Sequence, residues 1–248
     1  MATWLRTSNP VLKPDTFRET AISFGDTMTV SGTVNKTGVL LLCAVATAIF
    51  SWQRFVTAPE SVLPLILVGA IGGFVVALVT VFKKEWSPVT APIYALLEGL
   101  VLGSISASFE ASYPGIAIQA VGLTFGTLFA LLLAYTSRLI RVTDKLRLGI
   151  VAATGGIALF YLASFILGFF GIHFRAIHGS GTLGIVFSAV VVVVAALNLV
   201  LDFDLIENAA AAGAPKYMEW YGAFGILVTL IWLYLEILRL LAKLRSRR

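Results

Sequence analysis

The chain has 248 residues, of which 58% are hydrophobic and only 12% are charged, and its formal net charge is +5. A soluble domain carries about 25% charged residues, so a soluble fold of this length could not cover its surface with so few polar groups. The composition predicts an integral membrane protein. Its basic residues cluster at the ends of apolar segments, as in membrane proteins generally, so the positive charge is not evidence for nucleic acid and we expect no nucleic-acid partner.

The N-terminal region differs from the rest of the chain. Residues 1–36 are polar and of mixed charge, and no apolar stretch of signal-peptide length precedes the first long apolar run. We therefore expect a cytoplasmic N-terminal tail over 1–36, followed by a membrane domain over 37–245. Cys43 is the single cysteine and lies in an apolar run, which predicts a small buried hydrophobe and no disulfide.

Seven apolar stretches are long enough to cross a bilayer as helices, which takes about 20 residues. In chain order they cover 37–55, 62–82, 92–109, 115–135, 148–172, 181 to at least 201, and 220–241. The sixth could continue through an alanine run as far as Gly213, where Gly213 and Pro215 break a helix. No segment has the period of a barrel strand. The predicted fold class is therefore all-α, a polytopic bundle of seven transmembrane helices.

Small residues and one proline add local detail to these spans. Pro92 suits the first turn of the third span. Glycines let helix backbones approach closely in a bilayer, so glycine clusters predict packing surfaces. Those clusters are Gly69, Gly72 and Gly73 in the second span, Gly99 and Gly103 in the third, and Gly122 and Gly126 in the fourth.

The distribution of basic residues bears on orientation. The tail and the loops on its side of the membrane carry eleven Lys and Arg, and the opposite short loops carry only Arg54 and Arg175. This asymmetry predicts a cytoplasmic N-terminus. The C-terminal end conflicts with it, because Arg239, Lys243, Arg245, Arg247 and Arg248 would then lie outside. Either the last segment does not cross fully or the upstream charges override it, and the side of the C-terminus stays open.

Enzyme chemistry has little support in the sequence. His173 and His178 share one loop, away from any carboxylate pair at ligand spacing, and a zinc site needs three or four such ligands. No serine–histidine pair lies within the spans. We therefore expect a protein that is not an enzyme and that holds no cofactor.

Carboxylates inside the late spans carry the functional signal. Asp202, Asp204 and Glu207 end the apolar run 190–201, and Glu236 lies within the seventh span. A charge at bilayer depth costs about 2.5–3.5 kcal/mol on insertion scales, so such an acid is by default a functional-site hypothesis. Asp202 and Glu236 form the strongest pair. Two close carboxylates in a low-dielectric site share a proton, and they also offer hard oxygen ligands to Ca²⁺.

Other interpretations of these acids stay open. A salt bridge from Arg239 is the alternative partner for Glu236. Glu98 lies about two turns into the third span and is either a cavity-facing functional acid or the partner of a nearby basic residue. Glu219 stands among Tyr217, Trp220 and Tyr221, a pattern typical of an aromatic belt at the membrane interface.

Three short motifs carry a family likeness: Leu97-Glu98-Gly99-Leu100-Val101-Leu102-Gly103, Leu201-Asp202-Phe203-Asp204-Leu205-Ile206-Glu207, and 233–241 around Glu236. Their order and spacing resemble the third, sixth and last helices of bacterial-type members of the Bax inhibitor-1 (transmembrane Bax-inhibitor-motif) family. The resemblance implies a seven-helix bundle with a pH-sensitive Ca²⁺ leak, in which two carboxylates share a proton and latch the pore. Carried over, this proton-sharing latch is Asp202 with Glu236. The family has aspartate where Glu236 stands and a polar uncharged residue where Glu98 stands.

The leading hypothesis is a pH-sensitive cation (Ca²⁺) leak channel in a bacterial inner membrane, with Ca²⁺ and H⁺ as its ions. The candidate pathway or gate residues are Glu98, Asp204, Glu207 and Arg239. The alternative is a non-conducting regulatory protein that binds a membrane protease or another membrane partner, and a third hypothesis is a proton-coupled exchanger. Simple helix arithmetic, with a turn near Ala214, places Asp202 and Glu236 about 15 Å apart along the axis unless the linker 208–219 is largely non-helical.

Overall fold

The computed structural model of the protein describes residues 27–171 and 179–247. Within these residues seven helices are long and apolar enough to cross a membrane, which confirms the predicted fold class. They are α1 (Val30–Thr57), α2 (Val62–Phe82), α3 (Ser87–Ser112), α4 (Ile116–Thr136), α5 (Asp144–Phe169), α6 (Thr182–Ala211) and α7 (Met218–Ser246). His173, His178 and residues 1–26 lie outside the described residues.

The helix ends follow local capping chemistry. The Thr29 side chain caps α1 by accepting a hydrogen bond from the Gly32 N–H, so this helix begins at Val30, seven residues before the predicted span. Thr143 caps α5 in the same way, accepting from the Leu146 N–H. The bounds of α2 coincide with the predicted span, and α6 continues through the alanine run to Ala211.

The third helix begins earlier than the sequence predicts. It starts at Ser87, so Pro88 occupies its first turn and Pro92 lies inside the helix. The prediction that Pro92 marks the first turn is therefore wrong. The apolar run does not reveal the true start, because the first turn of α3 contains the polar residues Ser87 and Thr90. Their hydroxyls donate hydrogen bonds to the backbone carbonyls of Tyr217 and Trp86.

Helix α7 forms the centre of the bundle. It packs against α1, α3, α4 and α6, and its buried side chains include Tyr221, Phe224, Leu227 and Leu233. Helix α5 lies at the periphery and packs mainly on α6. The core of the protein is thus built around α7, the helix that carries Glu236.

The closest helix approach joins α1 and α3. A Cβ atom added at Gly99 would lie 2.2 Å from the Ala44 carbonyl oxygen, and one at Gly103 would lie 2.1 Å from the Ala48 carbonyl oxygen. The prediction that these glycines mark a packing surface is confirmed. Gly122 and Gly126 have the same spacing, but added Cβ atoms there would meet nothing within 4 Å, so the same prediction for α4 is wrong.

The two ends of the bundle are distinct. We call the end where Met28 N–H donates to the Ala214 carbonyl (2.7 Å) the N-terminal face. We call the opposite end, where Lys243 Nζ donates to Ser188 Oγ (2.9 Å), the C-terminal face. Helix α7 runs from one face to the other, so the first and last described residues of the chain lie at opposite ends of the bundle.

Candidate functional site

The α6–α7 hairpin brings the two strongest candidate acids into the protein core. The exposed fraction is 0% for Asp202 on α6 and 1% for Glu236 on α7. Their helical neighbours Leu201, Leu205 and Leu238 are buried as well, which turns this side of each helix toward protein instead of lipid. Both carboxylates therefore lie inside the bundle.

Asp202 is held across the hairpin by a threonine. The Thr229 hydroxyl of α7 donates a hydrogen bond of 2.6 Å to Asp202 Oδ2. Thr229 Oγ1 also lies 3.3 Å from the Gly225 carbonyl, one turn earlier on its own helix. A hydroxyl can solvate a buried carboxylate, but it does not neutralise the charge. This bond fixes the carboxylate against α7.

Glu236 has a different environment. Its Oε1 accepts hydrogen bonds from Arg239 Nη1 (2.7 Å) and from the Tyr161 hydroxyl of α5 (3.0 Å). The ion pair with Arg239, which the sequence left open as the alternative, is present, and the Arg239 side chain is 48% exposed. Glu236 Oε2 is buried and has no hydrogen-bond partner among the described residues. Since nearly all buried polar atoms are paired, this oxygen is the outstanding unsatisfied group of the hairpin.

The register of the hairpin separates the two acids. Asp202 lies against Thr229 and Ser188 lies against Lys243, and both contacts place Glu236 level with Ala195. Asp202 and Glu236 are thus offset by seven residues, or about 10 Å along the helix axis. In this conformation each carboxylate has its own partners. The proton-sharing latch stays a prediction, and it would need a different register of α6 and α7.

Two further acids of α6 join neighbouring helices near the N-terminal face. Asp204 Oδ2 accepts a hydrogen bond of 2.6 Å from Arg147 Nη2, at the start of α5. Glu207 accepts a hydrogen bond from the Tyr135 hydroxyl, at the end of α4. These candidate gate residues therefore connect α6 to α5 and α4, about half a turn and one and a half turns from Asp202.

Glu98 lies on the α2–α3 side of the bundle. Its Oε1 would be 3.0 Å from a Cβ atom added at Gly73 of α2, and the Tyr94 side chain hydrogen-bonds the carboxylate from one turn earlier. Tyr94 in turn meets Phe224 of α7 edge to face, with ring centroids 4.8 Å apart. The structure thus links Glu98 to the central helix through an aromatic pair and not to the hairpin acids directly.

Metal coordination has no ready-made cluster in the part of the chain that the structure describes. No group of three or more His, Cys, Asp or Glu side chains lies close enough there to hold an ion. Ca²⁺ takes six to eight oxygen ligands. Asp202 and Glu236, the predicted Ca²⁺ ligands, lie at different levels, so each could supply only its own oxygens to an ion passing through.

One buried acid has a role that the sequence analysis missed. Glu219, whose aromatic neighbours predict a position at the membrane interface, lies in the first turn of α7 and is 0% exposed, so its side chain faces protein. Its Oε1 accepts hydrogen bonds from the Thr29 N–H (2.9 Å) and hydroxyl (2.8 Å) and pairs with Lys216 (2.9 Å), and its Oε2 pairs with Lys36. We call this set the Glu219 clamp.

The clamp ties the start of α1 to the start of α7. Gly32 allows it, because a Cβ atom there would lie 2.1 Å from Glu219 Oε1. An isolated bridge between Thr27 and Pro215 continues the contact. A glutamate in the first turn of a helix was visible in the sequence as a favourable charge at a helix N-terminus. Its partners were not, since Thr29 is 190 residues away along the chain.

Comparison with known proteins agrees with the fold and the motifs. The family model described as Bax inhibitor 1 like matches residues 9–246, nearly the whole chain. A search of curated proteins found no match, and a search of solved structures found none. The matched region contains all seven helices and both hairpin acids. The chain belongs to the Bax inhibitor 1 like family of membrane proteins.

Proposed function

We propose that the protein is a pH-sensitive cation leak channel, with Ca²⁺ as its ion, in which the carboxylates of Asp202 and Glu236 control the closed state. The single observation that carries the proposal is the burial of both acids inside one helix hairpin of a membrane bundle. Charged groups at this depth are costly and mark ion or proton pathways. This is a proposal for a transport protein and not for an enzyme.

The two acids act at separate levels in this proposal. In this proposal the proton of Glu236 enters at Oε2, the carboxylate oxygen that has no hydrogen-bond partner among the described residues. Protonation also removes the charge that holds Arg239. At Asp202, a proton changes the carboxylate bound to Thr229 into a neutral group. A change of pH would thus loosen or tighten the hairpin at two places about 10 Å apart.

Charges at the N-terminal face support a cation pathway. Asp204 and Glu207 lie between Asp202 and that face, and each is held by a residue of another helix, Arg147 or Tyr135. Arg147 neutralises Asp204, so the negative charge that could attract a cation is that of Glu207, which is bonded to a neutral hydroxyl. The excess of Lys and Arg in the loops on that side supports an N-terminal face in the cytoplasm, and a bacterial inner membrane is part of the same proposal.

The test is Ca²⁺ flux into proteoliposomes over a series of pH values. We expect the wild-type flux to vary with pH, and Asp202→Asn and Glu236→Gln each to flatten that dependence, because each removes one titrating group and keeps the shape of the side chain. Glu60→Gln is the matched control, since Glu60 lies in an exposed turn between α1 and α2. Flux that is equal and independent of pH in the wild type and in Asp202→Asn would reject the proposal.

The non-conducting regulator is the second candidate. The observation that favours it is the Glu219 clamp, which fixes the base of the polar N-terminal segment at one face of the bundle, where a membrane protease or another partner could reach it. Deleting residues 1–26 separates the two functions and leaves the clamp intact. A regulator should lose co-purification with its partner, whereas a channel should keep its Ca²⁺ flux.

A further inference from the structure

A cavity lined by both basic and aromatic side chains opens at the C-terminal face. It has a volume of about 710 Å³ and lies between α3, α5, α6 and α7. Arg239 and Lys243, one turn apart on α7, line it together with Ser188 of α6 and Tyr161 of α5. We propose that this cavity binds the phosphate headgroup of an anionic phospholipid.

The charge of the cavity favours an anion. Two basic side chains line it, and no acidic residue lines it in the described part of the chain. The nearest acid, Glu236, is buried behind Arg239 and pairs with it through one guanidinium nitrogen. Arg239 carries five N–H donors and is half exposed, so it can contact Glu236 and a phosphate oxygen at the same time.

Helix α6 adds a second favourable element. Its N-cap is Gly181, which provides no side-chain cap, and the adjacent Ser180 lines the cavity. The first N–H groups of a helix lack partners within the helix, and the helix dipole favours negative charge there. An anion in the cavity would therefore meet two cations and the start of a 30-residue helix.

The depth and the walls of the cavity point to a lipid. Phe109, Phe165, Ser188 and Lys243 all lie within two turns of the ends of their helices, where membrane-spanning helices reach the headgroup region. Phe109, Phe165 and Phe187 form an apolar wall beside the cations. A phospholipid matches both parts, with its phosphate at Arg239 and Lys243 and an acyl chain along the phenylalanines.

The same site gives a role to two of the five basic residues at this end of the chain. Arg239, Lys243, Arg245, Arg247 and Arg248 conflict with the simple distribution of positive charge expected on one side of a membrane. Arg245 is engaged by the Pro114 carbonyl and the Gln119 side chain, at 2.6 and 2.9 Å. Arg239 and Lys243 are the two that turn into the cavity.

The test measures lipid retention by the purified full chain in a neutral detergent, using native mass spectrometry. Phosphatidylglycerol and phosphatidylcholine with identical acyl chains are added in equal amounts. Because each basic group near an anionic headgroup contributes about a fivefold preference, we expect the wild type to retain phosphatidylglycerol at least about tenfold better. Lys243→Gln should lower that preference about fivefold and leave phosphatidylcholine retention unchanged.

Two more variants separate the site from general charge attraction. Ser246→Trp keeps every charge but places a large side chain at an exposed position of the cavity lining, so it should also lower phosphatidylglycerol retention. Arg247→Gln removes a positive charge from the same helix end, outside the lining, and should change nothing. Size-exclusion profiles and helical circular dichroism establish that each variant is folded. If Lys243→Gln is not folded, the lipid retention of Ser246→Trp tests the proposal in its place.

Three outcomes would overturn the proposal: equal retention of the two lipids by the wild type, an equal loss in Arg247→Gln, or unchanged retention in Ser246→Trp. The last measurement adds inorganic phosphate in excess as a competitor for the lipid. If it displaces the lipid fully, the site recognises free phosphate and the lipid is not its ligand. None of these measurements uses ion flux, so the result is independent of the channel proposal.

Discussion

Two glutamates of α7 are equally buried but have opposite surroundings. Glu219, at the start of the helix, has partners for both oxygens in Thr29, Lys36 and Lys216. Glu236, five turns later, has partners for Oε1 only, and its Oε2 is buried without a hydrogen bond among the described residues. Both lie at 1% exposure or less, so burial alone does not distinguish them.

The partners of a buried carboxylate decide whether it serves structure or function. A carboxylate whose hydrogen bonds are all satisfied is stable as an anion and holds two helices together. A carboxylate with one oxygen unsatisfied gains from a proton or a cation. We therefore assign Glu219 to the architecture and Glu236 to the proposed ion pathway. Four substitutions test that division, in order of decreasing loss of stability.

Glu219→Ala should lower the free energy of unfolding most, by about 3 kcal/mol, because breaking a buried ion pair leaves its partners uncompensated. The measurement is denaturant unfolding in detergent micelles followed by tryptophan fluorescence. Lys216→Ala is the control: this lysine is 48% exposed, and its loss should cost less than about 1 kcal/mol. If Glu219→Ala lowered the free energy of unfolding by less than about 1 kcal/mol, the clamp would not be a main stabilising element of the fold.

Gly32→Ala should lower the free energy of unfolding by about 1–3 kcal/mol, because its new Cβ atom would lie 2.1 Å from Glu219 Oε1 and force the clamp apart. Gly38→Ala, in the same helix, is the matched control, since a Cβ atom there meets nothing within 4 Å. It should be neutral or stabilising by up to about 1 kcal/mol, as alanine is the better helix former. Equal effects of the two would show that the clamp tolerates displacement.

Glu236→Gln should lower the free energy of unfolding by only about 1 kcal/mol, because the half-exposed Arg239 can turn to water and the Tyr161 hydrogen bond is kept. Its main effect should be on the pH dependence of Ca²⁺ flux. Stability and flux are measured on the same preparation. A loss of stability as large as that of Glu219→Ala would contradict this division and would make Glu236 a structural residue.

Tyr161→Phe should have the smallest effect on stability, about 0.5 kcal/mol, because Arg239 still donates to Glu236 Oε1 when the hydroxyl is gone. The same unfolding assay measures it. The flux profile over pH should shift without flattening, since the titrating carboxylate remains. If the Ca²⁺ flux no longer depended on pH, the Tyr161 hydroxyl itself would take part in the proton transfer.

Much of the fold was predictable because hydropathy reports directly on the solvent that a segment occupies. The bounds of α2 agree with the sequence prediction, since its apolar run ends abruptly at Lys83. The glycine pairs show the limit of such patterns. Gly99 and Gly103 face α1 closely, whereas Gly122 and Gly126 face open space at identical spacing. Spacing defines a helix face, but only packing decides what lies opposite.

The sequence predicted which residues form the candidate site but not how they are arranged. The cost of charge at bilayer depth identified Asp202 and Glu236 from the sequence, and both are buried. Helix arithmetic with a turn at Ala214 predicted an offset of about 15 Å, whereas the observed offset is about 10 Å, because contacts such as Lys243 with Ser188 set a different hairpin register. A one-dimensional pattern contains no information on that register.

Hydrophobicity, span length and local motifs are properties of consecutive residues, so the sequence is enough to identify a seven-helix membrane protein of the Bax inhibitor 1 like family with acids in its late spans. The tertiary structure alone decided which acids are satisfied. Glu219 pairs with Lys36 from 183 residues away, whereas Glu236 Oε2 has no hydrogen-bond partner among the described residues and lies near a cavity lined by Arg239 and Lys243. Partners so distant along the chain are chosen by helix packing, which no local pattern encodes.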